Sequence, residues 1–282
     1  MMKEMFKKLS GVFVVLLALL AAAPVVFAAE EDKVTGEATV SALSGYIWRG
    51  QELSRHGVVF QPSLTLNYKG FTANVWGNLD AKPYATGDAR YAGNFTESDL
   101  TLSYSRKFSI LQAGAGYIYY ALGAPYAGAA DPPDSQEVFL TFSLDTILAP
   151  TLTVYKEIDH YHQWYAQLGV SHAFSLSKMI SLKLTATASS LKSEDASTYP
   201  KYNSNALPTN EKYNSFHDGT VTAALPVTLT KLLTITPLLS YAFPLGEDAG
   251  NEMKGRGLQG AAIPSGKNNG YLYGGLNASF TF

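Results

Sequence analysis

The chain has no cysteine among its 282 residues. That excludes disulfides, zinc–thiolate sites, thiol nucleophiles and a lipid-modified N-terminal cysteine. Charge is scarce too, at 16% of residues, and Lys and Arg are scattered with no basic stripe, so nothing points to nucleic acid. Beyond the N-terminal region no apolar run approaches the roughly 20 residues that a membrane-spanning helix needs. If this chain meets a bilayer, strands must carry it across.

The first residues read as an export signal. Lys3, Lys7 and Lys8 precede an almost wholly apolar stretch from Val12 to Ala23, Pro24 ends it, and Val26-Phe27-Ala28 offers small or aliphatic residues to a signal peptidase. The pattern predicts a cleaved signal over residues 1–28 and one domain over residues 29–282. A membrane anchor is the competing reading, for which the run is short. Removing Lys3, Lys7, Lys8 and Glu4 reduces 21 basic and 23 acidic side chains to 18 and 22, a net charge of −4.

What is abundant is period-two alternation, the pattern of a strand with one apolar and one polar wall. Phe60, Leu64, Leu66 and Tyr68 oppose Gln61, Ser63, Thr65 and Asn67; after Lys69-Gly70, Phe71, Ala73, Val75 and Leu79 oppose Thr72, Asn74, Trp76, Asn78 and Asp80. Two intervening residues with Gly suit a tight hairpin. The unit recurs along the chain and, with an opening strand around Glu37 to Trp48, gives about twelve strands. At the C-terminal end Leu272, Leu276, Ala278, Phe280 and Phe282 oppose Tyr273, Asn277, Ser279 and Thr281. A final strand ending on an aromatic, with Tyr273, Leu276, Ala278, Phe280 and Phe282 as its marks, is the expected closing strand and insertion signal of an outer-membrane barrel, whose last strand must pair with its first.

Connections fall into two classes. Those near Lys69-Gly70, Arg106 to Ser109, Asp145 to Pro150, Ser175 to Lys178 and Thr230-Lys231 are short. Most of the alternate ones are long: Ala81 to Phe95, Ala121 to Asp134, Ser190 to Lys212 and Pro244 to Lys267. Short periplasmic turns opposite long outer loops, with aromatics gathered at strand ends, fit a membrane barrel better than a soluble sandwich or a lipocalin-like barrel. The expected fold is therefore all-β: a transmembrane, antiparallel, up-and-down β-barrel of about twelve strands in the outer membrane of a Gram-negative cell.

Ser44-Gly-Tyr-Ile-Trp-Arg-Gly50, Gln61-Pro62 and Phe71-Thr-Ala-Asn-Val-Trp-Gly-Asn-Leu-Asp80 together resemble the TorF-like porin family. Glu97-Ser-Asp-Leu and Glu137-Val-Phe-Leu resemble its acidic strand starts. The likeness is strong from about Gly45 to Asp80. It implies an outer-membrane, porin-like protein and brings no substrate or catalytic residue with it.

Parity nominates a pore lining of Arg49, Gln61, Thr65, Asn74, Trp76, Asn78, Asp80, Asp99, Gln112, Glu157, Gln167, Lys183 and Asn277. Mostly uncharged amides and hydroxyls suit passive diffusion of small polar solutes, and a hydrogen-bonded, plugged interior is the other reading. Arg49 either sets a transverse field with Asp80 or Glu52 or serves as a rim residue paired to a carboxylate or to lipopolysaccharide. Tyr155, Tyr165, Tyr271 and Tyr273 offer a stacking track for sugars. A closed structural barrel acting through its loops is the main alternative function.

A lipid hydrolase is the third function, because Ser215 and His217 share the apolar-face parity, although the order is wrong for known outer-membrane hydrolases and no orienting acid stands on that face. His160 and His162 at a hairpin tip could meet a metal, but a solvated loop is the simpler reading, as it is for Asp131, Asp134, Glu247, Asp248 and Glu252. Lys156 falls on the lipid side, so it reaches an interface, sits at a bulge, or marks a shifted register, with the last two favoured. No cofactor is expected. Expected partners are outer-membrane lipid and lipopolysaccharide, the barrel-assembly machinery and small polar solutes.

Overall fold

Residues 33–54, 57–81, 93–125, 128–256 and 269–282 are described in a computed structural model of the chain. The expected signal, residues 1–28, lies outside the described residues. β1 (Thr35–Leu43) is followed by a short hairpin, β2 (Tyr46–Trp48) and β3 (Gln51–Ser54), then by β4 (Val59–Tyr68), β5 (Phe71–Asp80) and β6 (Asn94–Phe108). Next come β7 (Leu111–Leu122), β8 (Ser135–Leu144), β9 (Thr151–Glu157), β10 (Gln163–Ser175) and β11 (Ser181–Ser193). A second hairpin, β12 (Pro200–Tyr202) and β13 (Pro208–Lys212), precedes β14 (Asn214–Ala224), the two-residue β15 (Val227–Thr228) and β16 (Leu233–Pro244). A helix, Glu247–Arg256, and the last strand, β17 (Tyr271–Thr281), complete the order.

Twelve of these strands close into one antiparallel barrel in the order β1, β4 to β11, β14, β16, β17. Closure is made by β1 against β17 in an unbroken register from Glu37↔Thr281 to Leu43↔Gly275. That pairing leaves no open sheet edge between the first and last strands. The Lys69-Gly70 turn has φ of 49° and 85°, the left-handed pair that a two-residue hairpin requires. It lies at the same end of the barrel as the start of β1 and the end of β17, here termed the turn end; the opposite end is the loop end.

The register sends Leu66, Leu100, Leu140, Leu168, Leu239 and Leu272 outward, where they are 39–68% exposed. Inward positions of the same strands carry Ser, Thr, Asn and Gly. The usual arrangement of a soluble domain is thus inverted, and a surface this apolar suits lipid rather than water. A hydrophobic cluster sits inside the loop end: Tyr165, Leu191, Tyr199 and Tyr213, with Tyr155 packed against them.

Several expectations are corrected by the strand pairing. The opening strand does not run to Trp48: β1 stops at Leu43, and the chain turns away into the β2–β3 hairpin, whose two strands pair only with each other. The polar stretch 190–212 is not simply a loop, since β11 continues to Ser193 and β12 pairs with β13. Lys156 does face outward, but without a bulge or slipped register: it pairs in sequence with Val138 and Trp164. Near the loop end its ammonium bonds the Glu194 carboxylate and lies 5.1 Å from the Trp164 ring centre, and Trp164 Nε1 also donates to Glu194 at 2.8 Å. A long side chain reaching a polar rim avoids the cost of a charge in mid-bilayer.

Leu140 is outward and 52% exposed midway along β8, while its neighbour Thr141 faces inward opposite Thr153. Leu140→Arg is expected to lower stability in lipid vesicles by about 2–4 kcal/mol, and Thr141→Arg by less than about 1 kcal/mol. Urea midpoints of the vesicle-inserted proteins check the difference.

Candidate functional site

The β2–β3 hairpin turns into the lumen at the loop end. Its tip is Arg49-Gly50, with φ of 47° and 71°, the same left-handed geometry as the Lys69-Gly70 turn. Gly50 also allows a close approach: a Cβ there would stand 2.2 Å from Met253 Cε and 2.9 Å from Asp218 Cβ. Glycine therefore meets two requirements at once, backbone hand and space.

Arg49 donates through Nη1 and Nη2 to the two carboxylate oxygens of Glu137, both at 2.7 Å, with side-chain exposures of 8% and 2%. Tyr120 Oη donates to the same carboxylate at 2.9 Å. The guanidinium carbon lies 4.2–4.7 Å from the ring centres of Trp48, Tyr155 and Tyr165. A planar fork suits both the bidentate pair and the stacked rings, and Lys could not reproduce it. Arg49 thus pairs with Glu137, not with Asp80 or Glu52.

A second group of charges lies beside the first. In β14 the pairing passes from Ser190↔Phe216 to Ala188↔Gly219, so His217 and Asp218 together face Ser189. This bulge turns His217 inward, fully buried, and overturns the lipid-facing position that simple parity gave it. Ser215 faces Leu191, so the Ser215–His217 pair is not presented to lipid. His217 Nδ1 contacts Asp218 Oδ1 at 2.9 Å, and Nε2 bonds the Glu252 carboxylate. Carboxylates only accept, so both ring nitrogens must donate, and the ring is an imidazolium. Asp218 Oδ1 also receives Tyr165 Oη at 2.9 Å and Ser189 Oγ at 2.6 Å.

Glu252 comes from the loop helix, a segment with glycines at 250 and 255 and little intrinsic reason to be helical. Acidic residues in its first turn and basic ones in its last complement the helix dipole, while tertiary burial of Ala249, Glu252 and Met253 fixes it. Tyr199 Oη donates to Glu252 Oε1 at 2.5 Å, and Arg256 Nε lies 3.1 Å from the same oxygen. The Arg256 guanidinium covers the Tyr199 ring at 3.7 Å. Burial alone would raise the Glu252 pKa, but His217 and Arg256 outweigh it and hold the carboxyl below its ordinary value. Glu252 is therefore not the solvated loop acid its context suggested. Asp248 pairs with Lys201 at 3.0 Å.

One network at the mouth thus joins three cations (Arg49, His217, Arg256) and three anions (Glu137, Asp218, Glu252) from four separate parts of the chain. Tyr165 joins the two groups, with its ring under Arg49 and its hydroxyl on Asp218.

The other nominated residues divide by height. Near the mouth, Asp80 Oδ2 accepts from Ser54 Oγ at 2.5 Å, Gln61 donates to Asn78 at 3.0 Å, and Trp76 packs at 5.5 Å against Tyr46. Asp99 is inward beside Glu97, whose carboxylate accepts from Tyr46 Oη at 2.9 Å. Glu157 accepts four backbone N–H groups, from Asp159 to His162 at 2.7–3.2 Å, and so caps that hairpin tip. Toward the turn end Asn74 bonds Ser63 and Thr65, Gln112 bonds Ser105, and Asn277 bonds Ser41. Gln167 reaches Tyr165 at 3.2 Å, and Lys183 is inward and exposed. Tyr155, Tyr165, Tyr271 and Tyr273 do not form a continuous track, because the first two enclose Arg49 and Tyr271 is buried with its hydroxyl on Met253 O. Among the described residues no cluster of three His, Asp or Glu side chains could hold a metal ion.

No protein-family model and no curated protein matches the chain. Among solved structures it is similar to the NanC porin, at 11% identity over 87% of this chain and 98% of that one, with a TM-score of 0.48. It is also similar to an outer-membrane channel from Pseudomonas putida F1 (9% identity, 92% and 100% coverage, TM-score 0.42) and to OmpT of Vibrio cholerae (9%, 92% and 100%, 0.37). The barrel stands on its own strand register.

Glu252→Gln places an amide where two cations and a tyrosine hydroxyl need an acceptor, and is expected to cost about 3–5 kcal/mol at pH 7. Glu252 is depressed in the folded state, so its stabilisation is full above about 4.5 and is lost as pH falls through the lower folded value. Vesicle-inserted wild type should therefore lose stability on acidification below pH 4.5 more steeply than Glu252→Gln, in urea titrations run at each pH.

Proposed function

We propose that the protein is an outer-membrane channel of the TorF-like porin type, passing small polar solutes by diffusion through a lumen narrowed at its loop end. One observation carries this reading: the apolar stripe faces out on every barrel strand, while the inward face below the mouth is small, hydroxyl-rich and almost without charge. Thr65, Asn74, Gln112, Lys183 and Asn277 belong to that lower wall. Such a wall can replace hydration for a passing solute without sorting strongly by charge. Arg49, Asn78, Asp80, Asp99 and Glu157 belong to the narrowed mouth instead. The outer surface would meet lipid, and lipopolysaccharide around the loops. Tyr273, Leu276, Ala278, Phe280 and Phe282 would be the feature that an assembly machinery reads.

The mouth is held by the Arg49–Glu137 pair, which fastens a hairpin of the extracellular loop to the wall of β8. The lipid-hydrolase reading loses its support, because His217 is inside the barrel and both of its nitrogens are engaged by carboxylates. Purified protein in a planar lipid bilayer is expected to give discrete conductance steps. Arg49→Ala, by freeing the hairpin, should raise the mean step about twofold or more and add flicker, as expected when an ion pair that fixes a loop is removed. A silent bilayer with folded, heat-modifiable protein would establish the closed structural barrel in its place.

A further inference from the structure

Above the charged network lies a cavity of about 420 Å³, within the range of roughly 300–1,000 Å³ typical of small-molecule sites. Five aromatic rings border it: Tyr46, Trp48, Tyr120, Tyr161 and Tyr199. The charged groups that also line it are already engaged. Arg256 has Glu252 at 3.1 Å, Asp80 accepts from Ser54 at 2.5 Å, and Glu97 accepts from Tyr46 at 2.9 Å. None of them calls for a counter-charge from a ligand.

Two lining atoms are nevertheless buried without a hydrogen-bond partner, the donor Arg256 Nε, whose charge Glu252 balances, and an acceptor on Gln163. Gln163 is 3% exposed, and the acceptor is its Oε1. Leaving a buried acceptor unmet costs about 1–3 kcal/mol, so such groups point to a missing donor. We propose that this vestibule binds a neutral sugar of mono- or disaccharide size. A hydroxyl of the ligand donates to Gln163 Oε1, and its C–H faces lie on the surrounding rings. The unmet pair is one donor, Arg256 Nε, and one acceptor, Gln163 Oε1, which the hydroxyls of a sugar can satisfy together and a simple ion of either sign cannot. The inference names a solute class for the channel proposed above, and rests on that reading for its place in transport, though not for binding itself.

The test is a titration of the full-length protein in a polyoxyethylene detergent, which has no sugar headgroup. Maltose, glucose and, as an ionic control, choline chloride are the probes, read by tryptophan fluorescence because Trp48 borders the cavity, and by calorimetry. Saturable binding of maltose or glucose is expected, with Gln163→Leu weakening it about tenfold or more. The same variant should keep or raise the thermal midpoint, since it removes an unmet acceptor; a residue with a merely structural role would lower it. Tyr161→Ala is the second variant, expected to weaken binding while the protein stays heat-modifiable. Absence of saturable sugar binding, binding of choline in preference, or sugar binding unchanged in both variants overturns the inference. Conductance is measured apart: steps without sugar binding defeat the sugar site and leave the channel standing, and binding without steps does the reverse.

Discussion

An arginine taken almost wholly out of water inside a barrel must meet a carboxylate, and the rest of the mouth follows from where Arg49 meets Glu137. The pair sets the depth of the β2–β3 hairpin. That depth brings Gly50 against Met253, so the loop helix can pack on the hairpin only where no side chain intervenes. The helix then delivers Glu252 to His217 and Tyr199. Each step is short in space and long in sequence, from residue 49 to 137, 252 and 217. Within the network of Arg49, His217 and Arg256 with Glu137, Asp218 and Glu252 the charges balance three against three, which offsets the several kcal/mol that an unmatched buried ion costs.

The bulge in β14 is the other determinant. Were the outward alternation of Val221 and Ala223 carried back unbroken along the strand, His217 would face lipid and Phe216 would turn into the lumen. One extra residue on that strand lets Phe216 stay outside, 69% exposed, while His217 and Asp218 both turn in. Ser189 closes the irregularity from the facing strand by accepting the Asp218 backbone N–H at 2.9 Å. A local defect in the ladder is thereby converted into two inward polar groups, at the height where the helix needs a cationic partner.

The wall was legible in the sequence because its physics is local. Alternation along Phe60–Tyr68 and Phe71–Asp80, and again along the closing strand, follows from the two-residue repeat of a strand and from lipid on one side. The mouth was not legible, for reasons that differ by residue. Tyr46-Ile-Trp48 has strand propensity, so it extends the apparent first strand; nothing nearby says that the chain leaves the wall at Leu43. A one-residue bulge inverts parity without a mark in composition, which is why His217 was placed on the wrong face. Glu252 sits among Gly, Asn and Lys, the composition of a solvated loop, and its burial comes wholly from distant partners. Two signals were available: the inward parity of Glu137 on β8, and the Glu252–Arg256 spacing of one helical turn.

Wall and mouth are held by different forces, and that separation governs how the mouth can move. The barrel closes through backbone hydrogen bonds that involve neither the hairpin nor the helix. The hairpin and helix of the mouth are fastened largely by side chains, whose bonds can break without opening a barrel strand pair. Yet withdrawing the hairpin takes away Arg49 and leaves Glu137 buried with only the Tyr120 hydroxyl, and withdrawing the helix leaves His217 charged beside Asp218 alone. Displacement is therefore opposed by uncompensated charge rather than by lost backbone structure. Water entering the vacated lumen would hydrate both groups and reduce that cost, so widening of the mouth and wetting of the lumen should proceed together.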